Sequence, residues 1–387
     1  MRRLSMANKQ EKSSKSIGIV KKITGSKGFS SLAAALMAIL LGLIFGFLVM
    51  LIARPGSAVP GIRYVTLGGL GRIGDVFYFA TPILMTGLAV GFAFKMGLFN
   101  IGASGQYTMG MFFALYAVFM LDLPDGLSWV VAILAGFVGG MVWGAIPGIF
   151  KALMNVNEVI TSIMFNYIGM YLVDMLVLKN AAMYNPAMTR TRYIPSGAQI
   201  PALGIHGSNV NFGIVFAIII AVVLYIVLEK TTFGYELKAT GFNKHASEYA
   251  GMKGKRNIIL TMSIAGGLAG VGGAFAILAP SAIVGSSMTY EPINIIATAG
   301  FNGIAVALLG NAHPIGIIFS ATFISHIQRG GTLASLVGYK PEIIDVVVAV
   351  IIYFSAFAMI MNTGLGKFVK KRIEKDKKDL EIKEGSE

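Results

Sequence analysis

The most constraining feature of this sequence is a series of long apolar stretches separated by short polar segments. A stretch of about 18 to 25 apolar residues can cross the hydrocarbon core of a bilayer as a helix. We count ten such stretches and predict transmembrane helices over 32–53, 76–96, 98–121, 128–153, 157–178, 210–228, 257–278, 291–310, 314–329 and 341–363. Hydrophobic residues make up 55% of the chain and charged residues only 13%, which excludes a soluble domain. We therefore expect an all-α polytopic membrane protein.

The distribution of basic residues predicts which side of the membrane each segment faces. If the N-terminus lies inside and ten spans alternate, most of the 32 Lys and Arg residues fall on the inner side, as the positive-inside rule requires. Both termini are then cytoplasmic, with a basic tail over 1–31, a transmembrane domain over 32–363 and a charged tail over 364–387. The first tail does not resemble a secretory signal, because Arg-Pro-Gly follows the first apolar stretch in place of a cleavage motif.

The sequence lacks the residues and motifs of several kinds of catalysis. It has no cysteine, which excludes disulfides, thiolate metal sites and thiol nucleophiles. It also has no GxxxxGK[ST] phosphate loop, HExxH pair or GxSxG elbow. The net charge of +14 does not indicate nucleic acid, since the basic residues border apolar stretches, where anionic lipid headgroups lie. We expect no metal and no cofactor in this chain, and a membrane-embedded enzyme is the weakest alternative.

The positions of the acidic residues bear on the source of energy for any transport. Those in the predicted spans all lie near a span end: Asp75, Glu158, Asp174, Glu291, Glu342 and Asp345. Ion-coupled carriers usually keep an ionisable group near the midplane. Active transport by this chain would therefore need a second polypeptide to supply the energy. A secondary transporter or channel that works alone remains an alternative.

The longest polar segment between two apolar stretches covers residues 229–256. It is too rich in charged residues to lie in hydrocarbon. Its pattern predicts two short helices with a break at 241–243, so that Ala246, Tyr249 and Ala250 share one helix face. Such a face is typical of a helix that docks into a groove of another protein. We interpret the segment as a docking element for a soluble partner, with a solvated surface loop as the alternative.

Polar side chains also occur inside the apolar stretches. The junction at 95–106 contains three glycines, and it predicts either a broken helix that faces a polar solute or a tight inner turn. The fifth and eighth spans carry further polar or small residues at helical spacing: Glu158, Ser162, Asn166, Gly169, Asn294, Thr298 and Asn302. Neutral amides and hydroxyls suit an uncharged polar solute, but they also join helices to one another. The residues alone leave both interpretations open.

Glycines recur every four residues along the fourth predicted span, at Gly136, Gly140, Gly144 and Gly148, and they also crowd the seventh. Small residues at this spacing allow helix backbones to approach closely in a membrane. We expect these two spans to pack tightly.

Four motifs in order carry a family resemblance: GLFNIGASGQ at 97–106, NEVITSIMFNYI at 157–168, GYELKATGFNKHASEYAGM at 234–252 and GFNGIAVALLGNAHPIG at 300–316. Together they resemble the permease subunits of bacterial ABC importers in the ribose, branched-chain amino acid and nucleoside superfamily. The first two motifs are most similar to the nucleoside branch. Sugar permeases typically carry a Gly-Gly-Ile-Asp-Leu-like sequence where this chain has Gly-Leu-Phe-Asn-Ile.

The resemblance implies a permease subunit in the bacterial plasma membrane and several partners. These are a second permease, identical or sister, two ABC ATPase subunits that bind ATP and Mg²⁺, and an external binding protein that is lipid-anchored in some relatives. Nucleosides, purine nucleosides above all, are the implied solute. Simple sugars and branched-chain amino acids are the alternatives within the superfamily.

The resemblance and the polar pattern together give three sets of candidate residues. Expected contacts to the ATPase are Gly241, Asn243, Ala246, Tyr249 and Ala250. Expected solute-facing hydrogen-bonding residues are Asn100, Ser104, Gln106, Asn166 and Asn302. Basic residues of the outer loops, expected to meet an acidic rim of the binding protein, include Arg54, Arg63, Arg190 and Arg192. Contact with lipid phosphate is the alternative for the last set.

Overall fold

The computed structural model describes residues 27–350 apart from 206, 282–286 and 341, together with 353 and 354. The predicted tail over 364–387, and all but the last residues of the tail over 1–31, lie outside the described residues. The α-helices are α1 (Lys27–Ala53), α2 (Ala58–Leu67), α3 (Ile73–Phe94), α4 (Ala103–Met120), α5 (Ser128–Met154), α6 (Glu158–Lys179), α7 (Gly213–Lys230), α8 (Thr232–Phe242), α9 (Lys244–Tyr249), α10 (Gly254–Ile277), α11 (Thr298–Leu309) and α12 (Pro314–Ala334). Residues 342–350 are also helical.

The remaining regular structure is short. The 3₁₀ turns are Pro55–Ser57, Gly68–Arg72, Ser196–Ala198 and Ser335–Val337. One antiparallel hairpin pairs β1 (Tyr184–Asn185) with β2 (Arg190–Thr191).

Five helical stretches in the described part of the chain are long and apolar enough to cross a membrane. They are Pro55–Phe94, Ser128–Met154, Glu158–Lys179, Gly213–Lys230 and Gly254–Ile277. Two shorter apolar helices are Ile39–Ala53 and Thr298–Leu309. The expected class, an all-α membrane protein, agrees with these helices. The count of ten spans stays a prediction.

Two predicted spans begin at least five residues later in the structure than the apolar pattern indicates. The third was expected from 98, but the chain turns at Gly97 (φ 75°) and α4 begins at Ala103. The eighth was expected from 291, but α11 begins at Thr298. The preceding residues are held out of a helix because Asp174 accepts hydrogen bonds from the Tyr290 hydroxyl and from the backbone amide of Asn294, whose φ is 58°.

The described residues fall into two units, divided after Pro55 and after Ile344. In the unit that contains α1, Gly46 faces the side chain of Val347, and the Phe45 and Phe354 rings meet edge to face with centroids 6.4 Å apart. Small and aromatic residues therefore join α1 to the helical residues near 350.

The core of the other unit, Gly56–Ile344, is the tight packing of α5 against α10. A methyl group on Gly140 would meet the Gly266 carbonyl oxygen, and one on Gly270 would meet the Gly136 carbonyl oxygen. Only glycine permits such an approach of two helix backbones. Both glycine-rich spans pack tightly, as predicted, and the structure shows that they pack against each other.

Candidate functional site

Three of the predicted solute-facing residues surround the break between α3 and α4. The side-chain amides of Asn100 and Gln106 exchange two hydrogen bonds, of 2.8 and 3.1 Å. Asn166 on α6 accepts a hydrogen bond from the Gly105 backbone amide at 2.7 Å and donates one to the Ile101 carbonyl at 3.0 Å. All three side chains are buried. Their polar groups therefore hold the break closed against α6.

Ser104 extends this network to α11. Its hydroxyl donates to the Ala297 carbonyl at 3.0 Å, directly before the first residue of α11. Gly300 packs so closely on Ser104 that a side chain there would collide with it. The hydroxyl of Ser162, on the same helix face as Asn166, is buried and has no hydrogen-bond partner among the described residues. Asn302 is not part of the network.

The segment at 229–256, called the coupling segment below, folds as two helices with a break at Asn243. The Thr231 hydroxyl caps α8 by accepting from the Gly234 amide at 3.2 Å, and the Asn243 side chain caps α9 by accepting from the Ala246 amide at 3.0 Å. Gly251, with a φ of 83°, follows α9. The predicted pair of short helices is confirmed, with α8 longer than expected.

The coupling segment presents aromatic side chains and a groove to its surroundings. Phe242 and Tyr249 are each 95% exposed. The groove has a volume of about 580 Å³ and is lined by Tyr235, Lys238, Ala239, Phe242, Asn243, Ala246, Ser247, Ala250 and Met252. Of the residues expected to contact an ATPase, Asn243, Ala246 and Ala250 thus line the groove. Exposed apolar groups around a groove are typical of a protein interaction site.

The opposite side of the coupling segment is fixed to the bundle. Leu237 is fully buried, and Glu236 accepts a hydrogen bond from Asn257 of α10 at 3.2 Å. Gly241, the fifth expected ATPase contact, is exposed but also lies against the backbone of Met96. The coupling segment therefore contacts α10 and the end of α3 on one side and exposes the groove on the other.

The loop before α12 lies close to the charges at the start of the coupling segment. The His313 ring packs against the Tyr225 ring of α7 with centroids 5.5 Å apart and ring planes tilted by 53°. Burial lowers the pKa of His313, the nearby charge of Lys95 lowers it further, and Glu229 opposes both effects. This histidine therefore favours the neutral form more than a solvated one does.

A cavity of about 370 Å³, called the distal cavity below, lies at the other end of the bundle. Its walls are Tyr78, Phe79, Thr81, Pro82, Ile83, Tyr107, Asn211, Phe275, Ala276, Ala279, Met288, Thr298, Ala299, Asn302 and Gln328. These residues come from the first half of α3, the first two turns of α4 and α11, the loop before α7, the end of α10 with the loop after it, and the second half of α12. The coupling segment follows the end of α7 and precedes the start of α10, so the two sites lie at opposite ends.

The distal cavity contains polar groups that the rest of the described chain leaves unpaired. The Tyr107 side chain is only 5% exposed, and its hydroxyl makes no hydrogen bond to a described residue. The amides of Asn302 and Gln328 likewise have no partner in the described part of the chain. Asn211 uses its carbonyl oxygen to accept from the Gly213 amide at 2.9 Å, which leaves its NH₂ group free. The cavity can therefore accept and donate several hydrogen bonds.

An ion pair lies beside the distal cavity. Arg329 donates to Asp75 at 2.8 Å and lies 4.6 Å from the centroid of the Phe79 ring, which is part of the cavity wall. No charged side chain is among the described wall residues. The cavity thus offers hydrogen bonds and aromatic faces to a solute, without a net charge.

The basic residues expected in outer loops occupy separate elements. Arg54 and Arg63 are exposed, the latter on α2. Arg190 donates a hydrogen bond to the Tyr193 hydroxyl at 3.0 Å, and Arg192 donates one to the Ala181 carbonyl at 3.3 Å. Both side chains are therefore positioned by residues in or next to the hairpin. Arg192 remains exposed, and Arg190 is half-buried.

The polar stripe of the eighth predicted span includes two hydrogen-bonding residues of the distal cavity, Thr298 and Asn302, whereas Tyr107, Asn211 and Gln328 were not predicted. Tyr107 directly follows Gln106, which was predicted to face solute, and Gln328 lies beside Arg329 near the end of a predicted span. Because the cavity forms only where five helices meet, neither residue gives a local signal. The available signal was weak: two amides and a tyrosine inside otherwise apolar spans.

Comparisons with known proteins agree on one family. The family model described as branched-chain amino acid transport system / permease component matches residues 72–356. The chain is similar to the guanosine ABC transporter permease protein NupP of Bacillus subtilis, with 33% identity over 89% of this chain and 99% of that protein. It is 37% identical to the nucleoside ABC transporter permease protein NupB of Lactococcus lactis, over 86% of this chain and 92% of that protein.

A second permease from the same Bacillus subtilis strain is less similar. The guanosine ABC transporter permease protein NupQ is 24% identical over 69% of this chain and 84% of that protein. No solved structure matches the chain.

Proposed function

Because this chain belongs to the family of branched-chain amino acid transport system permease components, we propose that it is the permease subunit of an ATP-driven ABC importer for nucleosides. Two relatives that are more than 30% identical over most of their length are named as guanosine and nucleoside ABC transporter permeases. The structural observation that carries the proposal is the coupling segment, which is fixed to the bundle on one side and presents an apolar groove on the other. The chain itself transports and is not the ATPase.

We propose that an ABC ATPase subunit, which binds ATP and Mg²⁺, docks on the coupling segment. The contacts are Asn243, Ala246, Tyr249 and Ala250, because three of them line the groove and Tyr249 is 95% exposed. Gly241 connects the coupling segment to the helix bundle, because it lies against the backbone of Met96. Closure of the ATPases then moves the segment, and the packed helices attached to it change between outward- and inward-open states.

The proposed topology has ten spans in the bacterial plasma membrane, with both termini and the coupling segment in the cytoplasm. The charge distribution supports it, since the basic residues of the sequence concentrate on that side. The distal cavity is then at the outer end of the bundle, where a solute enters.

The four buried polar residues near the break have a second role in this proposal. Asn100, Ser104, Gln106 and Asn166 hold the inner end of the solute path in its closed state, since their polar groups are satisfied by one another and by backbone groups. Contact with solute requires that the break opens. Asn302, by contrast, lines the distal cavity in the present state.

Two further partners complete the proposed importer. A second, sister permease is favoured because two different guanosine permeases from one Bacillus subtilis strain both resemble this chain. An external binding protein with an acidic rim would meet basic residues of the outer side, for which Arg54, Arg63, Arg190 and Arg192 are the candidates. Such charge pairs mainly raise the association rate and set the register of docking.

Uptake of labelled nucleosides tests the proposed function. Cells that contain this chain with its ATPase, sister permease and binding protein should accumulate inosine and guanosine, and an inactivated ATPase should abolish accumulation. Unlabelled inosine or guanosine should compete better than ribose or leucine, and the reverse ranking would reassign the solute. Uphill uptake by the chain alone in liposomes would refute the dependence on an ATPase.

A further inference from the structure

We propose that the distal cavity is a binding site for the nucleobase of the transported nucleoside, an inference that rests on the proposed function. The proposal assigns an aromatic-ring contact to Phe79 and Phe275 and hydrogen bonds to Tyr107, Asn302 and Gln328. It follows from the shape of the cavity, its unpaired polar groups and its lack of charged wall residues.

The walls of the cavity suit a flat ring. Four aromatic side chains, Tyr78, Phe79, Tyr107 and Phe275, lie among apolar residues, and the volume of about 370 Å³ is sufficient for a nucleoside-sized solute. Stacking of a nucleobase on an aromatic side chain is favourable for every base, because each base has a π face. The rings therefore supply affinity for a heterocycle.

The polar groups of the cavity are available and mostly desolvated. Tyr107 and Asn211 are 5% exposed, yet the hydroxyl of the first and the NH₂ group of the second have no partner among the described residues. The amides of Asn302 and Gln328, from α11 and α12, add a donor and an acceptor each. Buried groups that remain unpaired disfavour any ligand that cannot hydrogen-bond to them.

The edge of a nucleobase matches this set of groups. Each base presents adjacent hydrogen-bond donors and acceptors, and Asn or Gln amides can bind such an edge with two hydrogen bonds. A sugar without a base could use the hydrogen bonds but would leave the aromatic walls uncovered. An apolar amino acid side chain would cover the walls but leave the amides unpaired.

The charge of the site selects nucleosides over nucleotides. No described wall residue is charged, and the guanidinium of Arg329 is already paired with Asp75 at 2.8 Å and lies over Phe79. A phosphate group would enter a largely buried site without a free cation, which is unfavourable. We therefore expect the site to reject nucleoside monophosphates.

Two substitutions test the assigned hydrogen bonds in the complete importer. Asn302→Leu and Gln328→Leu remove amides at similar volume, and each should lower kcat/KM for guanosine uptake by about tenfold, the loss of one good amide–base pair. Phe319→Leu is the matched control on the same helix as Gln328, because Phe319 is 72% exposed and outside the cavity. It should transport guanosine within about twofold of the unchanged protein.

Photolabelling of the unchanged importer provides a readout that does not depend on the variants folding. Azidoguanosine should label peptides that contain wall residues of the distal cavity, inosine should prevent labelling, and guanosine monophosphate should not. Labelling only elsewhere, or unchanged guanosine kinetics in both variants, would overturn the site while nucleoside uptake by the unchanged importer continues. Absence of any nucleoside uptake would instead refute the proposed function.

Discussion

Gly241 of the coupling segment lies directly against the backbone of Met96, at the end of α3. A methyl group on Gly241 would stand 2.5 Å from the carbonyl carbon and oxygen of Met96. Met96 is itself buried, and its sulfur lies 3.1 Å from the Thr261 hydroxyl of α10. The coupling segment therefore meets α3 and α10 at a joint without a flexible side chain between the backbones.

This joint gives the first prediction. Gly241→Ala forces the two backbones apart, since the atoms that the methyl group meets belong to the backbone and cannot rotate away. We expect transport to fall about fivefold or more, as for a coupling loss of about 1 kcal/mol, while the ATPase still binds. The ratio of guanosine uptake to ATP hydrolysis in the reconstituted importer measures this change.

The control for Gly241→Ala is Gly71→Ala. Gly71 has open space where a methyl group would be added, and its φ is not positive. The control should keep the uptake-to-hydrolysis ratio of the unchanged protein. Equal ratios for both variants would show that the joint does not transmit motion.

The second prediction concerns the groove of the coupling segment. Ala246→Arg places a charged side chain where the ATPase is proposed to dock, so it should reduce uptake at least about tenfold, in the range of an interface hot spot. Membrane insertion should be unchanged, because Ala246 is exposed. His245→Arg, also exposed but not part of the groove, is the control. Co-purification of the ATPase with each variant separates lost docking from lost transport.

Much of the helical framework could be predicted from the sequence, because apolar length and glycine spacing are local signals. The stripe through Gly140 and Gly144 predicted a tightly packed helix, although not its partner α10. The residues at 241–243 predicted the break in the coupling segment. The start of α11 could not be predicted, since it depends on Asp174, which binds the Asn294 amide across 120 residues. The apolar pattern there is the same whether the backbone is helical or extended.

The candidate site was less predictable than the fold. Amides in apolar spans indicate polar interactions, but the sequence does not distinguish an amide that pairs with another amide from one that faces a cavity. Asn100 and Asn302 illustrate the difference: the first is bonded to Gln106, and the second lines the distal cavity. Only the three-dimensional arrangement of the helices decides between the two.

The third prediction tests the paired amides at the break. Gln106→Leu leaves the fully buried Asn100 amide without its partner, which should lower the free energy of unfolding by about 1–3 kcal/mol. Replacing both residues by leucine should cost less than the sum of the single changes, because the second substitution removes the orphaned amide. Thermal unfolding of the purified chain in detergent measures all three variants.

A change in solute preference would contradict this interpretation of Gln106. If Gln106→Leu unfolds at the same temperature as the unchanged protein but alters the ranking of guanosine and inosine, the amide contacts solute and does not hold the break. The unfolding temperature is measured on the purified chain, and the solute ranking is measured by competition for uptake in the complete importer.

The last prediction concerns the side of the membrane on which the coupling segment lies. The chain has no cysteine, so single cysteines report unambiguously on access for a maleimide that does not cross membranes. Tyr249→Cys and Ser196→Cys are suitable because both positions are exposed and a single apolar helix long enough to span, Gly213–Lys230, lies between them. We expect Ser196→Cys to react in intact cells and Tyr249→Cys only after permeabilisation. Reaction of Tyr249→Cys in intact cells, with Ser196→Cys protected, would place the coupling segment outside and leave no route for an intracellular ATPase to drive transport.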